Sequence, residues 1–128
     1  MTKELINPEG VYRPRGHAHA IKAGNTIWVS GQVAWDEDSK ALCRGDMAGQ
    51  AEIAYEHLRR VLEAAEASMA DVVRLNFYVK DMEAFHRETG DIRHKYFGNY
   101  CPPATAVQIS RLYDPDLLIE IEAVAVID

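Results

Sequence analysis

The stretch 117–127, Leu-Leu-Ile-Glu-Ile-Glu-Ala-Val-Ala-Val-Ile, constrains the fold more than any other part of the chain. Its β-branched content disfavours a helix and suits a strand. Alternation puts Ile119, Ile121, Ala123, Ala125 and Ile127 on one face, and Glu120, Glu122, Val124 and Val126 on the other. The first face belongs in a core. The second opens with two carboxylates and continues with two valines, so it suits neither bare solvent nor a sealed interior. The valines call for a cover, and a glutamate for a polar pocket beside them.

Such a strand needs a sheet, and the rest of the chain supplies one. Residues 17–22 alternate, Ala-Gly-Asn at 23–25 has turn chemistry, and residues 26–30 form a second β-run, so a hairpin is predicted. That run ends at Ser30-Gly31-Gln32, where a glycine permits close approach of another strand or a ligand. After a charged loop at 35–45, Asp46 caps a helix whose stripe of Met47, Ala51, Ala54, Leu58, Val61, Leu62 and Ala65 runs to about residue 66. Residues 72–79 alternate again, with Val73, Leu75, Phe77 and Val79 on one side and Arg74, Asn76 and Tyr78 on the other. A second helix is predicted from Met82 to about Phe97, stopped by Gly98-Asn99. Cys101-Pro-Pro then leads into a strand at 105–109, and a turn at 113–116 enters the last strand. Residues 1–16 read as an irregular arm.

The order is ββαβαββ, an α+β arrangement in which one mixed sheet carries two helices on one face. At 128 residues and 48% hydrophobic content, the chain reads as a single domain spanning 1–128. Two helices blanket one side only. The other side then displays Trp28, Ser30, Asn76, Tyr78 and the mixed face of 120–126, which self-association would cover, leaving polar residues in clefts between chains.

Composition narrows the partners. A net charge of -6, from 20 acidic and 14 basic residues without a basic block, argues against nucleic acid. No apolar run reaches the ~18 residues of a membrane span, and the first residues lack a signal peptide's apolar core, so a cytoplasmic protein is expected. Cys43 and Cys101 stand far apart without zinc spacing and read as free thiols. His17 and His19, at i and i+2, have no third ligand at matching spacing, so no metal is expected.

Four segments now stand out together: Asn-Thr-Ile-Trp-Val-Ser-Gly-Gln at 25–32, Val-Val-Arg-Leu-Asn-Phe-Tyr-Val-Lys-Asp-Met at 72–82, Pro-Ala-Thr at 103–105, and Ile-Glu-Ile-Glu-Ala-Val-Ala at 119–125. In this order and spacing they resemble the Rid family, the YjgF-type reactive intermediate deaminases, from about residue 12 to the end. The resemblance implies a chorismate-mutase-like α+β fold, a homotrimer with clefts between subunits, and hydrolysis of enamines or imines to keto acids and ammonia without a cofactor. It matches the water-holding glutamate to Glu120 and the cleft's strand end to Ser30 and Gly31. His17 matches a cleft tyrosine.

One departure bears on the substrate. The resemblance implies an arginine after Pro-Ala that clamps the substrate carboxylate, and here Ala104 or Thr105, depending on the alignment, holds that position. Neither forms such a clamp. The chain thus resembles an arginine-lacking branch acting on a different substrate, less acidic or larger. Among Arg13, Arg15 and Arg93 nothing in the sequence ranks one as a displaced anchor. The candidate site is therefore Glu120 as catalytic group, with His17, Ser30, Gly31, Ala104 and Thr105 as substrate contacts. A cleft that binds a metabolite without turnover is the other class of function.

Overall fold

Burial along the last strand follows its alternation. In the computed structural model, which describes residues 2–128, Ile119, Ile121, Ala123 and Ala125 are buried, and Glu120, Glu122, Val124 and Val126 are half-buried. Seven elements around this strand carry the names used below: β1 (Lys3–Ile6), β2 (Ala20–Ala23), β3 (Thr26–Gln32), α1 (Met47–Ala64), β4 (Val72–Val79), α2 (Met82–Glu88) and α3 (Gly90–Phe97). Two more, β5 (Ala104–Gln108) and β6 (Ile119–Val126), complete the chain. The sheet order is β1-β2-β3-β6-β4-β5. β6 lies inside it, antiparallel to β3 and β4, while β4 and β5 run parallel. The parallel pair needs a crossover, which α2 and α3 provide.

α1 packs on β3 and β6 through Ala51, Ala54, Leu58, Val61 and Leu62, all fully buried. Small residues at two of these positions let the helix approach the sheet closely. Tyr55 seals the end of the core, stacked on Tyr96 at 5.2 Å and edge-on to Phe77 and Phe97. Asp46 caps α1 by accepting from the Gly49 amide at 3.0 Å. We expect Asp46→Ala to lower unfolding stability by about 1 kcal/mol, read as a shifted urea midpoint with an unchanged slope.

Four expectations are corrected. Residues 1–16 are not irregular throughout: Lys3–Ile6 pairs with β2, so the arm adds an edge strand. Its four residues, Lys-Glu-Leu-Ile, do not alternate, so no strand period marks them among the surrounding prolines and glycines. The hairpin's first strand begins at Ala20, so His17 and His19 precede it and do not share a strand face. Val73 is exposed, because an irregularity between Val72 and Arg74 lets Val72 take the buried position. The second predicted helix is two, α2 and α3, broken at Thr89, whose hydroxyl donates to the Phe85 carbonyl at 2.6 Å just before Gly90. Three helices, then, stand over the sheet.

The opposite side of the sheet is open. Trp28 is 48% exposed, opposite Val124 on β6, with Asn76 and Tyr78 half-buried beyond. Among the described residues no helix is long and apolar enough to cross a membrane.

Candidate active site

At the end of β3 the ladder with β6 slips. Val29 faces Ala123 and Gln32 faces Ile121, so three steps on β3 meet two on β6. The extra residue makes a bulge at Ser30 and Gly31, a device that re-aims side chains where a strand ends. The Glu120 side chain lies against Gly31 so closely that a β-carbon there would sit 2.7 Å from Glu120 Cγ. Glycine at 31 is what admits the glutamate.

This corner opens into a cavity of about 740 Å³, with His17, Ser30, Gly31, Glu120 and Glu122 on its walls. Tyr12 belongs to it too, and its hydroxyl donates to the Gly31 carbonyl at 3.2 Å, fixing the bulge from behind. Ser30 donates its hydroxyl proton to Ala18 O at 2.7 Å, which leaves the oxygen's lone pairs to accept from a ligand N–H. His17 Nδ1 lies 3.1 Å from the Arg15 carbonyl and donates to it, since a carbonyl only accepts.

The two glutamates differ in their surroundings. Glu122 accepts from Tyr78 Oη at 2.6 Å and from Asn76 Nδ2 at 3.1 Å, so it is tied to β4 as part of the sheet. Among the described residues none donates to Glu120. Burial pushes its carboxyl above the ordinary glutamate value, the neighbouring Glu122 adds to this, and His17 opposes it. A half-buried carboxylate with free lone pairs and raised basicity is suited to accept a proton from water and return it.

His19 is not part of this chemistry. Its Nε2 donates to Tyr12 O at 2.6 Å and its Nδ1 accepts from Gln32 Nε2 at 3.2 Å, so both ring nitrogens are occupied in a fully buried, neutral ring. Burial lowers its pKa accordingly. Its place is structural, edge-on to Tyr12 at 4.9 Å.

Of the six residues predicted from sequence, the structure brings Glu120, His17, Ser30 and Gly31 together. Ala104 and Thr105 lie elsewhere, exposed on the edge strand β5, where Thr105 Oγ1 accepts from Arg74 Nη2 at 2.5 Å. Tyr12, Trp35 and Tyr113 also stand on the cavity wall, and none of them is among the residues predicted from sequence. Trp35 carried a signal, as an indole at the head of a charged loop needs a surface to lie on. That surface is aromatic: Tyr12 at 5.4 Å and Tyr113 at 6.1 Å, with the indole N–H donated to Asp114 Oδ2 at 2.9 Å.

Residues 12–127 match the family model described as Endoribonuclease L-PSP. A RutC family protein of Pyrococcus abyssi is 39% identical over 126 residues, covering 98% of both chains. The protein named 3-aminoacrylate deaminase RutC from Acinetobacter baylyi is 34% identical over 126 residues, again covering 98% of both. Among solved structures, a putative endoribonuclease from Thermotoga maritima superposes with a TM-score of 0.90 at 30% identity, covering 99% of each chain. The α+β, chorismate-mutase-like architecture is common to both.

Proposed function

The chain belongs to the Endoribonuclease L-PSP family, the Rid or YjgF-type proteins, and from that premise we propose that it hydrolyses an imine or enamine, with Glu120 as the catalytic group. The observation that carries this reading is the Glu120 carboxylate, seated over Gly31, half-buried and free of protein donors, in a cavity shared with Ser30 and His17. Support at the family level comes from the relative named as a 3-aminoacrylate deaminase.

The chemistry needs few parts. An enamine first takes a proton on carbon to become the imine. Glu120 removes a proton from water as the oxygen adds to the C=N carbon, forming a carbinolamine. The proton then passes to nitrogen, and as the C–N bond breaks the hydroxyl gives up its own proton to become the carbonyl, so the proton taken up on carbon is returned and the products are a carbonyl compound and ammonia. No organic cofactor or metal enters this sequence. A ribonuclease reading fits less well, because Glu120, Glu122 and Asp114 line the cavity and would repel a phosphate backbone.

The working form in this proposal is a cytoplasmic homotrimer. A smaller depression over Trp28 and Val124 also includes His17, Ser30 and Glu122, so the open sheet face runs continuously into the cavity. Packing these faces together would bury the apolar part and turn the cavity into a cleft between subunits. Ala104 and Thr105, outside their own subunit's cavity, would serve a neighbour's cleft.

The test compares ammonia and keto-acid release from lyase-generated 2-aminoacrylate with wild type and Glu120→Gln. The variant is expected to fall at least ~100-fold in enzyme-dependent rate. Equal rates for the two at the spontaneous level would leave a metabolite-binding cleft without turnover, and equal rates above it would remove Glu120 from the catalytic role. The wild-type rate should fall with acidification at a pH above that of an ordinary glutamate, since the basic form is required. The sign for stability is opposite. A folded-state pKa above the unfolded one means that the fold favours the protonated carboxyl, so stability falls as pH rises through that range. At neutral pH the ionised carboxylate is a net cost, and Glu120→Gln should raise the thermal midpoint while removing activity.

A further inference from the structure

The cavity is lined by further residues that the hydrolytic corner does not use. Arg15, Trp35 and Tyr113 stand on its wall, and neither Arg15 nor Tyr113 is placed there by core packing. Tyr113 is an aromatic left 82% exposed at the cavity, held edge-on to Trp35 and contributing nothing to the core. Trp35 is fixed in orientation by its bond to Asp114, with one side on Tyr12. Arg15 lines the cavity but enters no ion pair among the described residues, although Glu120, Glu122 and Asp114 line it as well.

The other candidate arginines have different places. Arg93 donates to Cys101 Sγ on the helical side, and Arg13 is exposed away from the cavity lining. An anion entering a cleft that already holds three carboxylates requires a cation, and a guanidinium supplies two parallel donors to a carboxylate. A rigid indole and an exposed phenol offer flat surfaces to a planar group.

We propose that Arg15 anchors the carboxylate of the substrate and that Trp35 and Tyr113 flank its planar side chain, so the preferred substrates are imino or enamino acids bearing an aromatic or extended unsaturated group. This rests on the cavity being the site of imine or enamine hydrolysis. It replaces the clamp absent at Ala104 and Thr105 by one on the amino-terminal segment.

Binding of stable analogues tests it without depending on turnover. Calorimetric titration of wild type, Arg15→Gln, Arg15→Lys, Arg74→Gln and Tyr113→Ala would use 3-phenylpropanoate, its carboxamide and propanoate. Wild type should bind 3-phenylpropanoate best. Arg15→Gln should weaken that ligand at least ~10-fold, as loss of a charge-assisted pair does, with the carboxamide unchanged and Arg15→Lys in between. Tyr113→Ala should erase the preference for 3-phenylpropanoate over propanoate. Unaltered affinity in Arg15→Gln overturns the anchor, as does a loss that follows Arg74→Gln instead. Equal binding of the acid and its carboxamide to wild type overturns it too. These outcomes are independent of Glu120→Gln: an Arg15-dependent affinity with no Glu120-dependent ammonia release would keep the anchor and discard hydrolysis, and the reverse would discard the anchor alone.

Discussion

Gly31→Val is expected to reduce ammonia release to the level of Glu120→Gln, at least ~100-fold below wild type, in a protein that still folds. The backbone at this position has no left-handed torsion to protect, since Gly31 is not among the positive-φ glycines. A β-carbon would instead enter the space of the Glu120 side chain, with Cγ only 2.7 Å away. Cγ, one bond from a Cβ fixed on the central strand, can move away only by rotation about the Cα–Cβ bond, which carries the whole carboxylate with it. The side chain must adopt another rotamer, and the carboxylate leaves the corner shared with Ser30 and His17. A misplacement of about 1 Å already costs two orders of magnitude in rate. Gly31→Ala should show the same effect at smaller amplitude. The measurements are initial rates of ammonia release beside circular dichroism and a thermal midpoint. Full activity in Gly31→Val would mean that the seat of Glu120 over the bulge is irrelevant to function.

This dependence also explains what could be read from the sequence and what could not. The alternation in 119–126 contains its own answer about faces, because a period of two leaves only one assignment of Glu120 and Glu122. The distinction between them was not contained there. It comes from the partner strand: Asn76 and Tyr78 on β4 reach Glu122 and not Glu120, which depends on the β4–β6 register. Likewise Ser30-Gly31 marked a strand end, but the bulge depends on where Val29 and Gln32 pair. Tyr12, Trp35 and Tyr113 converge from loops separated by more than twenty residues, and no local pattern announces such a meeting. Thr89 shows the converse limit. Its stripe of Phe85, Ile92 and Tyr96 continued across the break, whereas the hydroxyl bond to Phe85 and the following glycine ended the helix.

For the homotrimer proposed above, Trp28→Asp is expected to break the assembly into monomers at micromolar concentration, seen as a change in sedimentation velocity, and to remove most activity with it. Trp28 is 48% exposed on the open face, directly opposite Val124, and neither residue has a reason to meet water. Burying an indole contributes on the order of 2 kcal/mol per subunit, and closed symmetry repeats the gain at every interface. An aspartate there reverses the sign, since each interface would have to desolvate a carboxylate, and the basic residue in the same row, Arg74, is two strands away and bonded to Thr105. Ile21 and Val124 flank the position across the ladders. The fold of each subunit should persist, because the core on the helical face makes no use of this side chain. Activity should nevertheless fall, because the depression holding Trp28 shares His17, Ser30 and Glu122 with the cavity. The raised basicity of Glu120 already belongs to the single chain with this face open, so the loss would come from the opened cleft and not from the carboxyl itself. An assembled but inactive Trp28→Asp protein would separate packing from catalysis, whereas an active monomer would show that one subunit's cavity is complete by itself.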